Sequence, residues 1–422
     1  MSLSIKASIS CNLGCTHCYE NEARTAGNHS RYYDIDALEK TLLDELKRTK
    51  QTPTFHGGEP LLMAKDDMRR LASHGLEIAG GNTIQTNGLL IDDEWIDIFK
   101  KYRFTVGVSI DGPGKLNNMR KYGKNEESTL EATKKIIENI YRLRQAGITV
   151  GLITVLHRLN AVKEVRQELK DFYLEMASIG VTSVRNNEMI LDDPELQHFN
   201  LTNDELAEFY CDMADFSLDR GFMFNPYRDI VDLLLGMNYG TCVFGAGHQG
   251  CDVLNTKGEE VVFGDGSKTG CLKTAKIGIN YLRAPGHSQE RYDILQRIPV
   301  SEGGCGGCKF WAICGGLCPS EGENGDWRAK TRYCKAWYAL YSHIESKLRN
   351  LLPNLRMITD YTVEGDNALE SIFNTKNGHN IAFSPMIRVR QEDGKVITAS
   401  TWRHDGTWMA PNVSGLTFRK GK

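Results

Sequence analysis

Three cysteines near the start of the chain have the spacing of a metal-cluster loop. They are Cys11, Cys15 and Cys18, in the segment CNLGCTHCY directly after a predicted strand. Iron–sulfur clusters are bound by cysteine thiolates, usually four of them. Because the next cysteine is Cys211, the triplet predicts a four-iron cluster with one iron open to another ligand. The alternative is a zinc site in which His17 folds back as a fourth ligand.

A second field of cysteines predicts two further clusters. Two tetrathiolate clusters need eight cysteines, and the chain between about 240 and 335 has eight. Glycines beside them let the backbone wrap closely around a bulky group. Zinc ribbons are the alternative for this spacing, and the remaining cysteine, Cys211, is interpreted as structural. The eight are Cys242, Cys251, Cys271, Cys305, Cys308, Cys314, Cys318 and Cys334.

Polar loops follow three more predicted strands. HGGEP at 56–60 combines two glycines, which allow a ligand to approach the backbone, with Glu59, whose carboxylate can accept from an ammonium. QTNG at 85–88 offers amide and hydroxyl groups. VSIDGP at 108–113, followed by Arg120, offers Ser109 and a guanidinium suited to a carboxylate. One such loop is ordinary turn chemistry, but four consecutive strand ends predict a shared binding site.

The elements that must position these loops alternate between strands and helices. Leucines spaced by three and four residues from Leu38 predict a helix, and Ser128 and Asn160 are predicted to start two more. Thr202 and Glu205 form a predicted capping box. Strands separated by helices predict a parallel sheet curled into a full or partial barrel. The six predicted strands are Ser4–Ser10, Thr52–His56, Asn82–Thr86, Phe104–Ile110, Thr149–Leu156 and Thr182–Arg185.

Length and composition exclude several classes of protein. A chain of 422 residues predicts two to three domains. Its 51 basic and 54 acidic residues give a net charge of −3, which leaves no electrostatic footprint for nucleic acid. No apolar run approaches the roughly 18 residues of a membrane span, and no secretion signal opens the chain. We therefore expect a cytoplasmic protein that binds neither nucleic acid nor membrane and uses its cysteines for metal or redox chemistry.

The chain resembles the radical S-adenosylmethionine (SAM) superfamily over roughly residues 1–230. The resemblance rests on four motifs that occur in the same order, CNLGCTHCY, HGGEP, QTNG and VSIDGP. The resemblance implies an α/β fold, a partial (β/α)6 barrel like a TIM barrel, with a [4Fe–4S] cluster on the triplet. It also implies that this cluster binds SAM and cleaves it to a 5′-deoxyadenosyl radical. Relatives often read HDxxR where this chain reads LNNMR at 116–120. The implied SAM contacts are Gly57, Gly58 and Glu59 for the methionine end, Gln85 and Asn87 near the ribose, Ser109 and Arg120 for the carboxylate, and Tyr19 as the aromatic residue after the third cysteine.

The second cysteine field resembles the SPASM domain, a loop-rich extension of radical SAM enzymes with two auxiliary [4Fe–4S] clusters. The resemblance brings the expected cofactors to three [4Fe–4S] clusters and SAM. Clusters with four protein ligands are expected to transfer electrons, which favours oxidised products. The implied ligands are Cys242, Cys251, Cys271 and Cys318 for the first auxiliary cluster, and Cys305, Cys308, Cys314 and Cys334 for the second.

These assignments divide the chain into a barrel at 1–230, a SPASM domain at 231–350 and a small β-containing segment of unknown role at 351–422. The last segment has two strand-like stretches, His379–Gln391 and Lys395–Trp402, and the Asp-Gly between them predicts a hairpin. It is interpreted as a packed appendage, or alternatively as an edge to which an extended peptide adds.

The resemblance implies a maturase that oxidatively modifies, by crosslink-type chemistry, a ribosomally made peptide. The alternatives are the conversion of Cys or Ser to formylglycine, as in anaerobic sulfatase-maturating enzymes, a small-molecule dehydrogenase, and an iron–sulfur electron-transfer protein. The expected partners are a peptide or protein substrate, a flavodoxin- or ferredoxin-type electron donor and, because few residues precede Cys11, a separate leader-binding protein. No general base is assigned, although Asp111, His157 and Glu188 lie near predicted strand ends.

Overall fold

A computed structural model describes residues 2–21, 32–222, 224–235, 259–276, 288–355, 357–360, 362–363, 387–390 and 396–399. The chain divides into two compact units. The first unit comprises Met1–Phe209, Asp219–Asn225 and Glu260–Thr269, and the second comprises Tyr210–Leu218, Pro226–Glu259 and Gly270–Lys422. None of the described helices combines the length and the apolar composition that a membrane span requires.

A nine-stranded sheet forms the core of the first unit. Its strands are β1 (Ser2–Lys6), β2 (Pro53–Phe55), β3 (Asn82–Thr86), β4 (Phe104–Ser109), β5 (Val150–Leu156), β6 (Ser183–Glu188), β7 (Phe224–Asn225), β8 (Glu259–Phe263) and β9 (Lys268–Thr269). The order is β7-β6-β5-β4-β3-β2-β1-β8-β9. Strands β1 to β7 pair in parallel, whereas β8 and β9 are antiparallel.

The six predicted strands correspond to β1 to β6, so the predicted α/β class is confirmed, although β1 ends at Lys6 rather than Ser10 and β6 extends to Glu188 rather than Arg185. The sheet order has two ends, which fits a partial barrel rather than a closed one. Sequence analysis missed β7 and the β8–β9 hairpin. The hairpin contacts the helix at Ile35–Thr49, because Thr41 donates to the Gly266 carbonyl at 2.9 Å and Lys268 pairs with Glu45 at 2.7 Å.

Helices follow the strands along the chain. Asp34 caps the first of them by accepting from the backbone of Asp36 and Ala37, and Leu38 and Leu42 bury its apolar face completely. The helices are α1 (Ile35–Thr49), α2 (Lys65–Ala79), α3 (Asp93–Lys101), α4 (Glu126–Gln145), α5 (Arg158–Ala161), α6 (Arg166–Ser178) and α7 (Asn203–Arg220).

Two predicted helix starts are wrong. Helix α4 begins earlier, because Asn125 is its cap and accepts from the Ser128 backbone. The helix predicted from Asn160 is two helices, α5 and α6. His157 caps α5, and the Asn160 amide oxygen accepts from the His157 backbone at 2.9 Å. The capping box before α7 is confirmed, since Thr202 and Glu205 accept from each other's backbone N–H.

The second unit combines short helices with glycine-rich turns. Its longest helix packs Trp337 against Tyr341, with ring centroids 5.9 Å apart. The helices are α8 (Tyr227–Leu234), α9 (Leu272–Lys276), α10 (Ser288–Arg297), α11 (Trp311–Cys314) and α12 (Cys334–Leu351).

A separate three-stranded antiparallel sheet follows near the C-terminus. It consists of β10 (Thr362–Val363), β11 (Ile387–Arg390) and β12 (Val396–Ala399), in that order. Strands β11 and β12 pair antiparallel, as predicted, and Arg390 lies opposite Val396. The Glu392-Asp393-Gly394 turn lies outside the described residues.

Candidate active site

The cysteine triplet lies in the loop after β1, and backbone hydrogen bonds hold this loop in place. The N–H of Gly14 donates to the carbonyl of Lys121, and the N–H of Thr16 donates to that of Met119, both at 2.8 Å. The segment after β4 therefore supports the triplet loop between Cys11 and Cys18.

The three thiols lie close enough to influence one another electrostatically. Burial raises the pKa of the Cys15 thiol to about 12, the Cys18 and Cys11 charges raise it further, and Arg120 lowers it. Protons held this strongly are released when a metal binds, because metal ligation requires the thiolate. The N–H of Leu13 lies 3.4 Å from the Cys11 sulfur, which suits a charged thiolate.

The triplet fits a multi-iron cluster better than a single ion. Among the described residues, no three His, Cys, Asp or Glu side chains converge on one metal-ion position. His17 Nε2 lies 3.7 Å from Asp111 Oδ2, and its buried Nδ1 has no hydrogen-bond partner among the described residues. Burial lowers the pKa of His17 to about 3. A cubane cluster needs each cysteine to bind a different iron, which agrees with three thiols that do not converge on one position.

The HGGEP loop packs its backbone against the segment that leads into the triplet. Gly58 N–H donates to the Ser8 carbonyl at 3.0 Å. A Cβ on Gly58 would lie 2.0 Å from the Ser10 carbonyl oxygen, and one on Gly57, whose φ is +140°, would lie 2.6 Å from the Ser8 carbonyl oxygen. Only glycine fits both positions, so these residues bring the two loops together.

Glu59 joins the HGGEP loop to the QTNG loop. Its carboxylate accepts from the Thr86 hydroxyl at 2.7 Å and from the backbone of Asn87 and Leu61 at 2.8 and 3.0 Å. Burial raises the pKa of Glu59 to about 7, and these three hydrogen bonds oppose that rise. In turn, the Asn87 amide lies 3.7 Å from the Cys11 sulfur. Three of the sequence motifs thus meet at one place.

The QTNG and VSIDGP loops meet on the face of the sheet turned away from the helices, which we call the inner face. Gln85 Nε2 donates to Ser109 Oγ at 2.7 Å. A Cβ on Gly107 would lie 2.2 Å from Gln85 Oε1, so the glycine makes room for this amide. The predicted neighbours Gln85 and Ser109 therefore lie in direct contact.

Tyr19 lies beside the HGGEP loop in a cluster that sequence analysis missed. Its ring stacks on His56, with centroids 6.3 Å apart, and it is 37% exposed. The ammonium of Lys6 lies 5.8 Å from the centre of this ring and pairs with Glu20 at 2.5 Å. Sequence analysis could have found this cluster from Lys6 at the end of β1, because a lysine that becomes buried needs a partner for its charge.

Arg120 is held in a buried ion pair beneath the triplet loop. Its Nη2 lies 2.8 Å from Asp111 Oδ1, and the two side chains are 8% and 0% exposed. Burial by itself would raise the pKa of Asp111, but Arg120 and His17 hold it below the usual range. His157 Nε2 lies 3.6 Å from Asp111 Oδ2. Asp111 and His157 are thus structural neighbours of the triplet loop. Glu188 is a buried residue at the end of β6.

Four cysteines of the second field influence one another in the same way. Burial raises the pKa of Cys305 to about 12, and the Cys334 and Cys308 charges raise it further. Burial also raises the pKa of Cys314, and the charges of Cys305, Cys334 and Cys308 raise it further. Cys334 is the first residue of α12, where the helix dipole favours a thiolate.

Cys318 lies in a different environment. Burial raises its pKa to about 12, Glu321 raises it further, and Lys273 lowers it. Lys273 lies on α9, two residues after Cys271, and its ammonium is 3.4 Å from the carboxylate of Glu321, three residues after Cys318. Cys271 and Cys318 therefore lie at the starts of neighbouring short helices. The other two residues predicted with them, Cys242 and Cys251, lie outside the described residues. Cys211 is half-buried on α7, and burial raises its pKa to about 11.

Arg291 fastens the cysteine-rich turns. It is 2% exposed and donates to the carbonyls of Gly315, Gly316, Trp327 and Ala329 at 2.9 to 3.3 Å. Four backbone acceptors therefore depend on one guanidinium, and sequence analysis gave no signal for it.

We expect Arg291→Met to lower the free energy of unfolding of this region by about 3 kcal/mol or more, because several buried carbonyls lose their donor. Amide hydrogen exchange over 305–334 measures the loss. Arg297→Met is the matched control, since that side chain is on the same helix and 77% exposed. Equal protection in the two variants would show that Arg291 does not fasten the turns.

Residues 5–181 match the Radical SAM superfamily. The chain carries a radical SAM domain, and it is an enzyme. A radical SAM domain uses SAM and at least one [4Fe–4S] cluster, and the triplet fits that cluster on the observations above.

The similarity of this chain to known proteins extends well beyond that domain. A serine-type anaerobic sulfatase-maturating enzyme of Bacteroides thetaiotaomicron is 26% identical over 372 residues, which are 79% of this chain and 86% of the relative. A cysteine-type anaerobic sulfatase-maturating enzyme of Clostridium novyi is 27% identical over 301 residues, which are 66% of this chain and 76% of the relative.

A solved structure shares the fold of this chain. It is native anSMEcpe with bound AdoMet and Cp18Cys peptide, with a TM-score of 0.67 at 19% identity, and the match covers 84% of this chain and 99% of that one. The predicted partial barrel followed by a cysteine-rich region therefore agrees with a solved fold.

Proposed function

We propose that the protein is a maturase that oxidises a peptide or protein substrate by hydrogen abstraction. The observation that carries this proposal is the extent of the match to a sulfatase-maturating enzyme, because 372 aligned residues exceed the domain at 5–181 and reach 86% of that enzyme. When bound, the triplet cluster supplies an electron that cleaves SAM to a radical able to remove a substrate hydrogen.

SAM is held by the loops that meet at Glu59 and Asn87. The methionine end lies at Gly57, Gly58 and Glu59, the ribose near Gln85 and Asn87, and the aromatic ring of Tyr19 borders the site. Ser109 is assigned to the carboxylate, as is Arg120 by resemblance. The hydrogen bonds from Asn87 to Glu59 and from Gln85 to Ser109 support this assignment, since they bring separate motifs into one site.

We expect Ser109→Ala and Glu59→Gln each to weaken SAM binding about ten- to a hundredfold, because each removes a charge-assisted hydrogen bond. Equilibrium dialysis with SAM measures the affinity, and iron analysis is expected to show intact clusters. Thr105→Ala, an exposed position on the same strand as Ser109, is the control. Unchanged affinity in both variants would remove these residues from the site.

Three [4Fe–4S] clusters complete the proposal, two of them in a SPASM domain at 231–350. Cys305, Cys308, Cys314 and Cys334 hold the second auxiliary cluster, supported by the mutual influence of their charges. Cys271 and Cys318, together with Cys242 and Cys251, hold the first. When bound, the auxiliary clusters would accept an electron from the substrate radical.

The first candidate reaction is the oxidation of a Cys or Ser side chain to an aldehyde. The side chain loses a hydrogen atom to the 5′-deoxyadenosyl radical, then one electron to an auxiliary cluster and one proton, and water converts the thioaldehyde formed from Cys to the aldehyde with release of H2S. The names of the relatives favour it, since both are sulfatase-maturating enzymes, one cysteine-type and one serine-type. Crosslink formation in a ribosomally made peptide is the second candidate. The β10–β12 sheet favours it, because within the described part of the chain its outer strands pair on one side only and so offer edges to an extended peptide. A flavodoxin- or ferredoxin-type donor and a leader-binding protein are the further proposed partners.

Mass spectrometry of the product tests the proposal. Cluster-loaded, reduced protein is incubated with SAM and a sulfatase-derived peptide that contains Cys or Ser, and a peptide with Ala at that position is the control. We expect an aldehyde on the Cys or Ser peptide only. SAM cleavage without modification of either peptide would contradict the first candidate, and a crosslinked peptide would establish the second.

A further inference from the structure

His56 directly follows β2, and its imidazole lies on the inner face of the sheet. Its N–H donates to the Ile5 carbonyl at 2.8 Å, which continues the parallel pairing of β2 with β1. Phe55 is buried on the opposite side, where its ring packs beside Phe104, which in turn contacts Phe99 of α3. Because side chains alternate along a strand, His56 faces away from the helices, on the face of the proposed SAM site.

Tyr19 orients the His56 ring. The two rings stack at an interplanar angle of 27°, and the Tyr19 hydroxyl lies 3.5 Å from His56 Nδ1. A hydroxyl oxygen accepts as well as donates, so Nδ1–H can donate to Tyr19. In that tautomer the Nε2 atom carries the lone pair and is the proton acceptor of the ring.

The Nε2 atom of His56 is available to a bound molecule. Within the described ranges it has neither a hydrogen bond nor an ion pair, and it is open to solvent rather than buried. Four other histidines differ, because a ring nitrogen of each lies between 2.8 and 3.7 Å from a carboxylate oxygen. They are His17, His74, His157 and His343.

The surroundings of His56 keep its ring neutral. Burial lowers the pKa of His56 to about 4, the Lys6 charge lowers it further, and Glu20 raises it. The imidazole is therefore free to accept a proton at neutral pH, and its conjugate acid passes that proton readily to water. A carbon radical beside an O–H or S–H group is a far stronger acid than the parent alcohol or thiol, so a base of this strength suffices.

We propose that His56 is the base that removes the proton from the substrate hydroxyl or thiol during its oxidation. The inference rests on the proposed function, in its first candidate reaction. The substrate β-carbon first loses a hydrogen atom to the 5′-deoxyadenosyl radical. The O–H or S–H proton then passes to His56 Nε2 while the substrate radical gives one electron to an auxiliary cluster, and a C=O or C=S bond forms.

The test separates hydrogen abstraction from proton removal. Cluster-loaded, reduced protein is given SAM and a sulfatase-derived peptide deuterated at the β-carbon of its Cys or Ser. His56→Gln keeps polar groups at this position but cannot take up the proton. We expect it to transfer deuterium to 5′-deoxyadenosine as the wild type does, while the yield of oxidised peptide falls about a hundredfold or more. His74→Gln is the matched control, since His74 lies on α2 and pairs with Glu39, and it is expected to keep both.

Added imidazole gives a second measurement. His56→Ala leaves space where the ring was, and imidazole in solution is expected to restore part of the oxidised product. Substituted imidazoles are expected to restore it in the order of their basicity, because general base catalysis follows the strength of the base. A residue that only positions the substrate would give no such order.

Two results would overturn the proposal. One is a full yield of oxidised peptide from His56→Gln, and the other is a joint loss of deuterium transfer and product that no imidazole restores in His56→Ala. Absence of deuterium transfer in the wild-type protein is a different outcome, because it would contradict the proposed function itself. Iron content identifies a variant that has lost its clusters, and the other His56 variant then decides.

Discussion

Changing Cys11, Cys15 and Cys18 together to alanine is expected to abolish SAM cleavage and to remove about a third of the iron, about four of about twelve atoms. The three thiols lie in one loop and influence one another's charge, so one cluster depends on all of them. The other predicted ligands lie after residue 240, and their eight iron atoms are expected to remain.

Iron analysis and chromatography of 5′-deoxyadenosine measure the two effects. Cys211→Ala is the matched control, because this half-buried cysteine on α7 belongs to none of the three predicted ligand sets. It is expected to keep all of the iron and full SAM cleavage. Iron content unaffected by the triple change would show that the triplet is not a cluster site.

Changing Cys334 to alanine is expected to separate the formation of the radical from its use. Its thiol charge acts on Cys305 and Cys314, so its loss damages the second auxiliary cluster. SAM cleavage needs only the triplet cluster and a reductant, and is expected to continue. The oxidised product is expected to fall to a small fraction, because the substrate loses its electron acceptor.

Product mass spectrometry and 5′-deoxyadenosine analysis on the same sample give this separation. Structural metal sites contribute folding energy, so circular dichroism of the Cys334 variant is compared with that of Cys211→Ala. Full product yield from a folded Cys334→Ala protein without this cluster would show that the second auxiliary site is structural.

The sequence was sufficient to predict the strands because their signals are local. A buried strand of a parallel sheet is a short apolar run, and β4 and β5 follow that pattern, whereas β6 continues through polar residues to Glu188, beyond the predicted end at Arg185. The β8–β9 hairpin was not predicted, since only long-range contacts place it, such as the one from Thr41 to Gly266. It lies within the range assigned by sequence to the SPASM domain, and its strands join the barrel sheet.

The motif residues could be predicted as a group, whereas their individual partners could not. Glycine at 57 and 58 was interpreted as allowing a ligand to approach, and the structure shows a second role, because a Cβ at either position would meet the backbone of Ser8 or Ser10. The ion pair between Arg120 and Asp111 joins residues nine apart through a turn whose geometry no periodicity specifies. No sequence motif beside Arg291 indicated that it would bind the carbonyls of the cysteine-rich turns.

Transfer of a hydrogen isotope tests the central claim most directly. Cluster-loaded, reduced protein is given SAM and a sulfatase-derived peptide deuterated at the β-carbon of its Cys or Ser. The account predicts that 5′-deoxyadenosine gains deuterium from the peptide and that the peptide becomes oxidised at that carbon. Unlabelled 5′-deoxyadenosine accompanied by an oxidised peptide would contradict hydrogen abstraction from this position by the radical that the triplet site generates.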